Sequence, residues 1–164
     1  YMAANVLEEN AYAYLQEHLR ILSGFYGALR PFDGVTPYRL EMQSKLAVDG
    51  CANLYEFWGD SLYRAALDES RVIINLASKE YSKCVEAHLQ PEDTMIDVIF
   101  GERLNGKVVQ KGTFAKMARG EMVRYLADTN ATTPEAMKDF TELDYSFAPD
   151  LSTERAYVFL RSTN

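Results

Sequence analysis

Several common chemistries find no support in this chain. Its only cysteines, Cys51 and Cys84, are isolated from each other and have no CxxC spacing, so no redox pair or zinc knuckle can be read from them. They read as reduced thiols, in the core or partly buried. Its two histidines, His18 and His88, are far apart in sequence, and no metal-ligand spacing links them. No Walker loop, GxGxxG or GxSxG occurs. No apolar run approaches the length of a membrane span, and no signal peptide is visible. Positive charge is scarce, with 17 Lys and Arg against 24 Asp and Glu, for a net charge of −7. That argues against indiscriminate nucleic-acid binding, which draws most of its affinity from a basic surface, but it leaves room for a local basic groove. There is no internal repeat, low-complexity tract or linker.

What is present has an ordinary globular balance: 48% hydrophobic and 25% charged residues over 164 positions, enough to bury a core in one domain. Asn5 is placed to cap a first helix. In that helix Leu7, Ala11, Tyr14, Leu15, His18, Leu19 and Leu22 recur on one face, and His18 reads as a surface or boundary residue. Residues 20–23 then turn extended. Asn53 to Leu67 reads as one amphipathic helix, with Leu54, Phe57, Trp58, Leu62 and Ala65 on a common side and Trp58 in the core. Val72-Ile73-Ile74 is the kind of β-branched run that forms a buried strand within 71–77. Ser78 is a good N-cap for a helix over 79–89 that stops before Pro91. Asn105-Gly106 supplies the positive φ angles of a tight hairpin between strands at 95–100 and 107–111. Thr113 is expected to cap a helix to Ala127, and Thr133-Pro134 to open a short one. A last strand is expected over 155–161. These elements predict an α+β fold, a mixed β-sheet with packed helices, in a single domain spanning residues 1–164.

The stretch from Leu22 to Met42 is unlike the rest. It crowds Gly24, Gly27, Arg30, Pro31, Asp33, Gly34, Pro37, Arg39 and Glu41 into a run that is neither clean helix nor clean strand. A loop this long inside a compact chain is usually functional or disordered. Its apolar residues, Phe25, Tyr26, Leu29, Phe32 and Leu40 among them, argue against disorder.

Polar residues that could act chemically gather at the ends of elements. Asn75 and Ser78 stand where a strand gives way to a helix, whose first N–H groups and positive dipole end suit an anion. They also suit a plain loop tether and cap. Lys116 and Arg119, three apart, project from one side of their helix, opposite Phe114, Ala118, Met122 and Tyr125. Arg39 and Glu41, two apart in an extended run, point the same way. They either pair with each other, or Arg39 offers its planar fork to a phosphate or carboxylate. The candidate set is Arg30, Tyr38, Arg39, Glu41, Asn75, Ser78, Glu80, Tyr81, Lys116 and Arg119. No metal site or cofactor and no defined catalytic residue emerges from it.

Four runs occur in order that resemble one family. They are Leu22 to Met42 (LSGxYGxLRPxDxxxPYRLEM), Phe57-Trp58-Gly59, Asn75 to Tyr81 (NLASxEY) and Lys116 to Gly120 (KxARG). Together they resemble the peroxide stress protein YaaA family, from about Glu17 to Arg161. Gln43 stands where that family has glycine, and the family's first-strand Ser-Pro-Ala-Lys-type run is absent. Tyr1 precedes Met2, so the chain is expected to be the C-terminal part of a longer protein, a YaaA-like fold lacking its N-terminal portion. The lost segment is expected to have supplied a central strand, leaving a sheet edge exposed. The resemblance implies a cytoplasmic bacterial factor of the hydrogen-peroxide response that limits free iron, with DNA as a partner through a helix-hairpin-helix element and a basic cleft. It implies no established catalysis.

Three readings follow. The candidate residues contact DNA. Alternatively they form a pocket for a small phosphorylated or carboxylated ligand, in an enzyme or a binding protein, with Glu41 and Glu80 as candidate acids or bases. Or they only maintain the loop. A converging cluster around the four runs would favour the pocket, and a basic stripe would favour DNA.

Overall fold

A computed structural model describes residues 7–162, so the expected cap at Asn5 lies outside the described residues. The fold is α+β, with a mixed five-stranded sheet, a separate two-stranded ribbon and packed helices. In chain order the elements are α1 (Glu9–His18), β1 (Ile21–Ser23), β2 (Gly27–Leu29), α2 (Leu54–Trp58), α3 (Ser61–Ala66), β3 (Val72–Asn75) and α4 (Lys79–Glu86). They are followed by β4 (Thr94–Leu104), β5 (Lys107–Val109), α5 (Gly112–Asp128), β6 (Tyr145–Phe147) and β7 (Ala156–Arg161). Short 3-10 turns, the first at Pro134–Asp139, connect α5 to β6 and β6 to β7. The chain divides into two compact units: His18–Met95, and Tyr1–Glu17 with Ile96–Asn164.

In the unit containing Ile96–Asn164, β4 runs parallel to β7, with Asp97 opposite Ala156 and Gly101 opposite Leu160. On their other sides, β6 pairs antiparallel with β7 and β5 antiparallel with β4. The β4–β5 turn is the expected one, with Asn105 at φ 50 and Gly106 at φ 75. Gly101 is needed for that pairing, because a Cβ there would stand 2.5 Å from Val108 Cγ1. The core is aromatic: Phe100 stacks on Phe159 at 5.3 Å, and Phe140 meets both rings edge-on. Helix α5 buries Ala115, Ala118, Met122 and Leu126 at helical spacing; of the face read from the sequence, Ala118 and Met122 are buried, whereas Phe114 and Tyr125 are half-buried. The helix begins two residues early, however. Ala115 N–H donates to Lys111 O, which makes Lys111 the N-cap and leaves the expected cap, Thr113, inside the first turn. Helix α1 buries Ala11 and Leu15, and Tyr14 OH donates to Ala131 O at 2.9 Å.

In the unit His18–Met95, the extended residues expected at 20–23 become β1, which pairs antiparallel with β2. The single helix expected over 53–67 is instead two. Gly59 sits at φ 50, its N–H donating to Tyr55 O, and α3 restarts at Ser61. Asn53 caps α2 through Oδ1, which accepts Glu56 N–H at 3.0 Å. Strand β3 stops at Asn75 and is half-buried along its length rather than buried. It lies at one end of the strand order, beside β4, and an end strand has one neighbour only. Helix α4 ends at Glu86, short of the expected Leu89, because His88 and Leu89 N–H groups close tighter turns onto Val85 and Glu86 O. Met42, Leu54, Leu62 and Cys84 form one buried cluster, with Leu22, Leu40, Trp58 and Tyr81 packed around it. Tyr63, Val85 and Met95 form a second.

Candidate functional site

The Leu22–Met42 loop is ordered by a few local ties. Ser23, 2% exposed, is its hub. Its Oγ accepts Phe25 N–H at 3.2 Å and Tyr26 N–H at 3.0 Å and shares a short hydrogen bond with Tyr38 OH. Tyr26 OH accepts Thr36 N–H at 2.9 Å. The returning chain lies so close to Gly24 that a Cβ would stand 2.8 Å from Leu40 O. Trp58 Nε1 donates to Gly24 O at 3.1 Å, which joins the Phe57-Trp58-Gly59 run to the loop. Trp58 is half-buried against the Met42 cluster, a core residue rather than an open platform. The exposed aromatic surface lies elsewhere in the loop: Phe25 stacks on Tyr38 at 5.4 Å, with 55% and 43% of their surfaces exposed.

The Asn75–Tyr81 run meets the same loop. Gln43 N–H donates to Glu80 Oε1 at 3.3 Å, and Tyr55 OH donates to Glu80 O at 2.9 Å. Gln43 is thus accommodated through its backbone. Tyr81 has its hydroxyl pKa raised, first by burial and then by the nearby Glu80, Tyr38 and Glu41, while the Met42 backbone hydrogen-bonds to it. Tyr38, Glu41, Glu80 and Tyr81 therefore form one neighbourhood. Asn75 Oδ1 accepts Ala77 N–H at 3.0 Å, the loop-tether role. Ser78 stands at the N-cap of α4, but its hydroxyl makes no cap hydrogen bond. The acid in that first turn is the chain's own Glu80.

Arg39 is exposed, and among the described residues no ion pair joins it to Glu41. Arg30 is exposed as well. Its backbone N–H donates to Asp33 Oδ2 at 2.7 Å, and its side chain lines an open cleft of about 530 Å³ with Arg20 and Arg64. Neither of those arginines stood out in the sequence. Arg20 lies in a three-residue junction between helix and strand, and Arg64 on the polar side of a helix, where a cation is usually just solvated.

Lys116 and Arg119 lie on α5, in the unit containing Ile96–Asn164. Lys116 is exposed. Arg119 is half-buried, and burial lowers its pKa; its NH2 reaches Gln110 Oε1 at 3.5 Å. In the same unit the carboxylate of Glu102, 2% exposed, stands 2.6 Å from Lys111 Nζ and 3.5 Å from Arg161 NH1, and the Arg161 guanidinium lies 3.9 Å from the centre of the Phe114 ring. Among the described residues no group of three or more His, Cys, Asp and Glu is placed to hold a metal ion. No helix of the described residues is long and apolar enough to cross a membrane.

A family model described as peroxide stress protein YaaA matches residues 1–151. A UPF0246 protein of Agathobacter rectalis is 56% identical over 161 residues, covering 98% of this chain and 65% of that protein. One from Lachnoclostridium phytofermentans is 53% identical, covering 98% and 63%. One from Pediococcus pentosaceus is 51% identical, covering 99% and 64%. The chain spans less than two thirds of the length of these curated relatives.

Proposed function

The chain belongs to the peroxide stress protein YaaA family, and from that premise we propose that the whole protein serves the hydrogen-peroxide response by limiting damage from free iron, with DNA as a partner. The peroxide role rests on the family's description. Limiting iron does not require binding it, and this reading uses no iron ligand from the chain. The observation that carries DNA is the exposed Phe25–Tyr38 stack, with an exposed Arg39 following Tyr38 in the chain. Exposed rings and an exposed cation are what a nucleic-acid contact uses: bases stack on the rings and guanidinium groups hold phosphates. The net charge of −7 makes such contact local rather than indiscriminate.

The test is a salt titration of full-length protein on a short DNA duplex and on the matching single strand. Arg39→Ala should weaken binding on every sequence and flatten the salt slope by about 1 unit, one phosphate contact. Tyr38→Leu should weaken single-strand binding more than duplex binding. A salt slope unchanged in Arg39→Ala removes this residue, and with it the loop, from any DNA surface.

A further inference from the structure

We propose that the cleft between Arg20, Arg30 and Arg64 is a binding site for a small phosphomonoester that also carries a hydroxyl group. Its volume, about 530 Å³, lies within the usual range for small-ligand sites and exceeds what a lone phosphate needs. Guanidinium groups stay charged at all physiological pH values, and each presents a planar donor fork that suits phosphate oxygens. Three of them line the open cleft with Asp33; Asp60 pairs with Arg64 and Asp68 lies near Arg20, so a phosphate would compete with these carboxylates for the guanidinium forks.

Arg20 is set in advance. Its Nε donates to Ala65 O at 3.1 Å and its NH1 to Leu19 O at 3.0 Å, so the guanidinium is held in place and meets a ligand only through its remaining N–H groups. Arg64 reaches Asp60 at the surface, and exposed pairs of that kind exchange easily for a stronger partner. Ala28, Ala65 and Leu67 supply the apolar part of the wall, against which the carbon skeleton of an ester would lie. Asp33 is the acceptor for the ligand's hydroxyl. Helix α3 packs against β2, which brings Arg64 and Ala65 to the strand that leads into Arg30. The site stands independently of the DNA reading, which rests on Arg39 and the exposed rings.

A phosphate here has two sources, a small ester or a DNA backbone, and calorimetry on the full-length protein separates them. The probes are inorganic phosphate, glycerol 3-phosphate, ribose 5-phosphate, glycerol and a short DNA duplex, tested on the parent, Arg64→Gln, Arg20→Ala and the exposed control Lys45→Ala. The expected result is saturable binding of at least one ester, tighter than inorganic phosphate, with none for glycerol. Arg64→Gln should weaken it at least about tenfold, the loss of one charge-assisted contact, while Lys45→Ala leaves it unchanged. Because Arg64 is largely exposed, its variant should keep the parent's urea midpoint, which separates lost binding from lost folding even if Arg20→Ala fails to fold. The proposal is overturned if no ester saturates, if esters bind no tighter than inorganic phosphate, or if Arg64→Gln binds like the parent. It is also overturned if Arg64→Gln weakens the duplex as much as the ester, for then the cleft holds DNA phosphate.

Discussion

Gly27 lies beneath the ring of Trp58, so close that a Cβ would stand 2.7 Å from Cζ3. The same glycine has φ +80, a conformation other residues adopt at a cost. Gly27→Ala combines that strain with steric overlap and should destabilise the protein by roughly 2 kcal/mol or more. Gly34→Ala is the control: a Cβ there meets nothing within 4 Å, so the change should stay within about 0.5 kcal/mol. Urea denaturation of the two variants compares them. A loss of only about 1 kcal/mol in Gly27→Ala, the backbone strain alone, would mean that Trp58 is free to move aside.

Ser23 holds the loop at three points, so its loss should exceed that of any one partner. Ser23→Ala leaves the Phe25 and Tyr26 N–H groups and the Tyr38 hydroxyl without their shared partner. It should cost about 1–3 kcal/mol, whereas Tyr38→Phe, which removes one bond, should cost about 1. Limited proteolysis within residues 24–41 should speed up more in the serine variant than in the tyrosine variant. The reverse order would show that the Tyr38 hydroxyl, not the serine, orders the loop.

What the sequence made legible follows from how local each cause is. Asn105-Gly106 announces its turn because the positive φ angles are a property of those two residues. The helical spacing of Phe114, Ala118, Met122 and Tyr125 announces α5 in the same way, although only Ala118 and Met122 of them are buried. The break at Gly59 did not show, since one glycine costs a helix only about 1 kcal/mol. What accompanies it is distant in sequence: the Trp58 indole is tied to Gly24 and lies over Gly27. Strand β6, three residues long, carries no periodicity to read. For the site, the density of glycine, proline and charge marked the loop, and the contact of Glu80 and Tyr81 with it followed from the ordered runs. Arg20 and Arg64 were illegible because only the packing of α3 against β2 makes them neighbours of Arg30.

Cys84 should take no part in sensing peroxide. It is 4% exposed, and burial pushes its thiol up to about 11, so almost none is thiolate at neutral pH. Cys51 is half-exposed. Titration with a thiol reagent at pH 8 should show one fast group, lost in Cys51→Ser, and a second that reacts only on unfolding. Fast reaction of Cys84 in the folded protein would contradict its burial.

Buried Asp93 links the pH dependence of stability to its ion pair with Arg71. Burial pushes its carboxyl pKa up, but the Gln90 N–H, the Tyr63 hydroxyl and the Arg71 guanidinium outweigh burial and hold it below the ordinary value. Tyr63 OH donates to Oδ2 at 2.7 Å, and Arg71 NH2 lies 2.6 Å from Oδ1. Arg71 itself sits at φ 56, with its backbone N–H donating to Asp68 O and its O accepting Thr94 N–H. Because the folded pKa lies below the unfolded one, the unfolded chain binds more protons in the window between them. The stabilisation is therefore complete above the unfolded value of about 3.9 and fades as pH falls through the folded value. Asp93→Asn keeps an oxygen for Tyr63 but has no charge for Arg71 at any pH. It should be less stable than the parent at pH 6, and the gap in urea midpoint should narrow at pH 3. Asp68 and Glu86, also held below their ordinary values, titrate in both proteins, so the difference isolates Asp93. A gap of the same size at both pH values would mean that the carboxylate contributes by shape and hydrogen bonding, not by its charge.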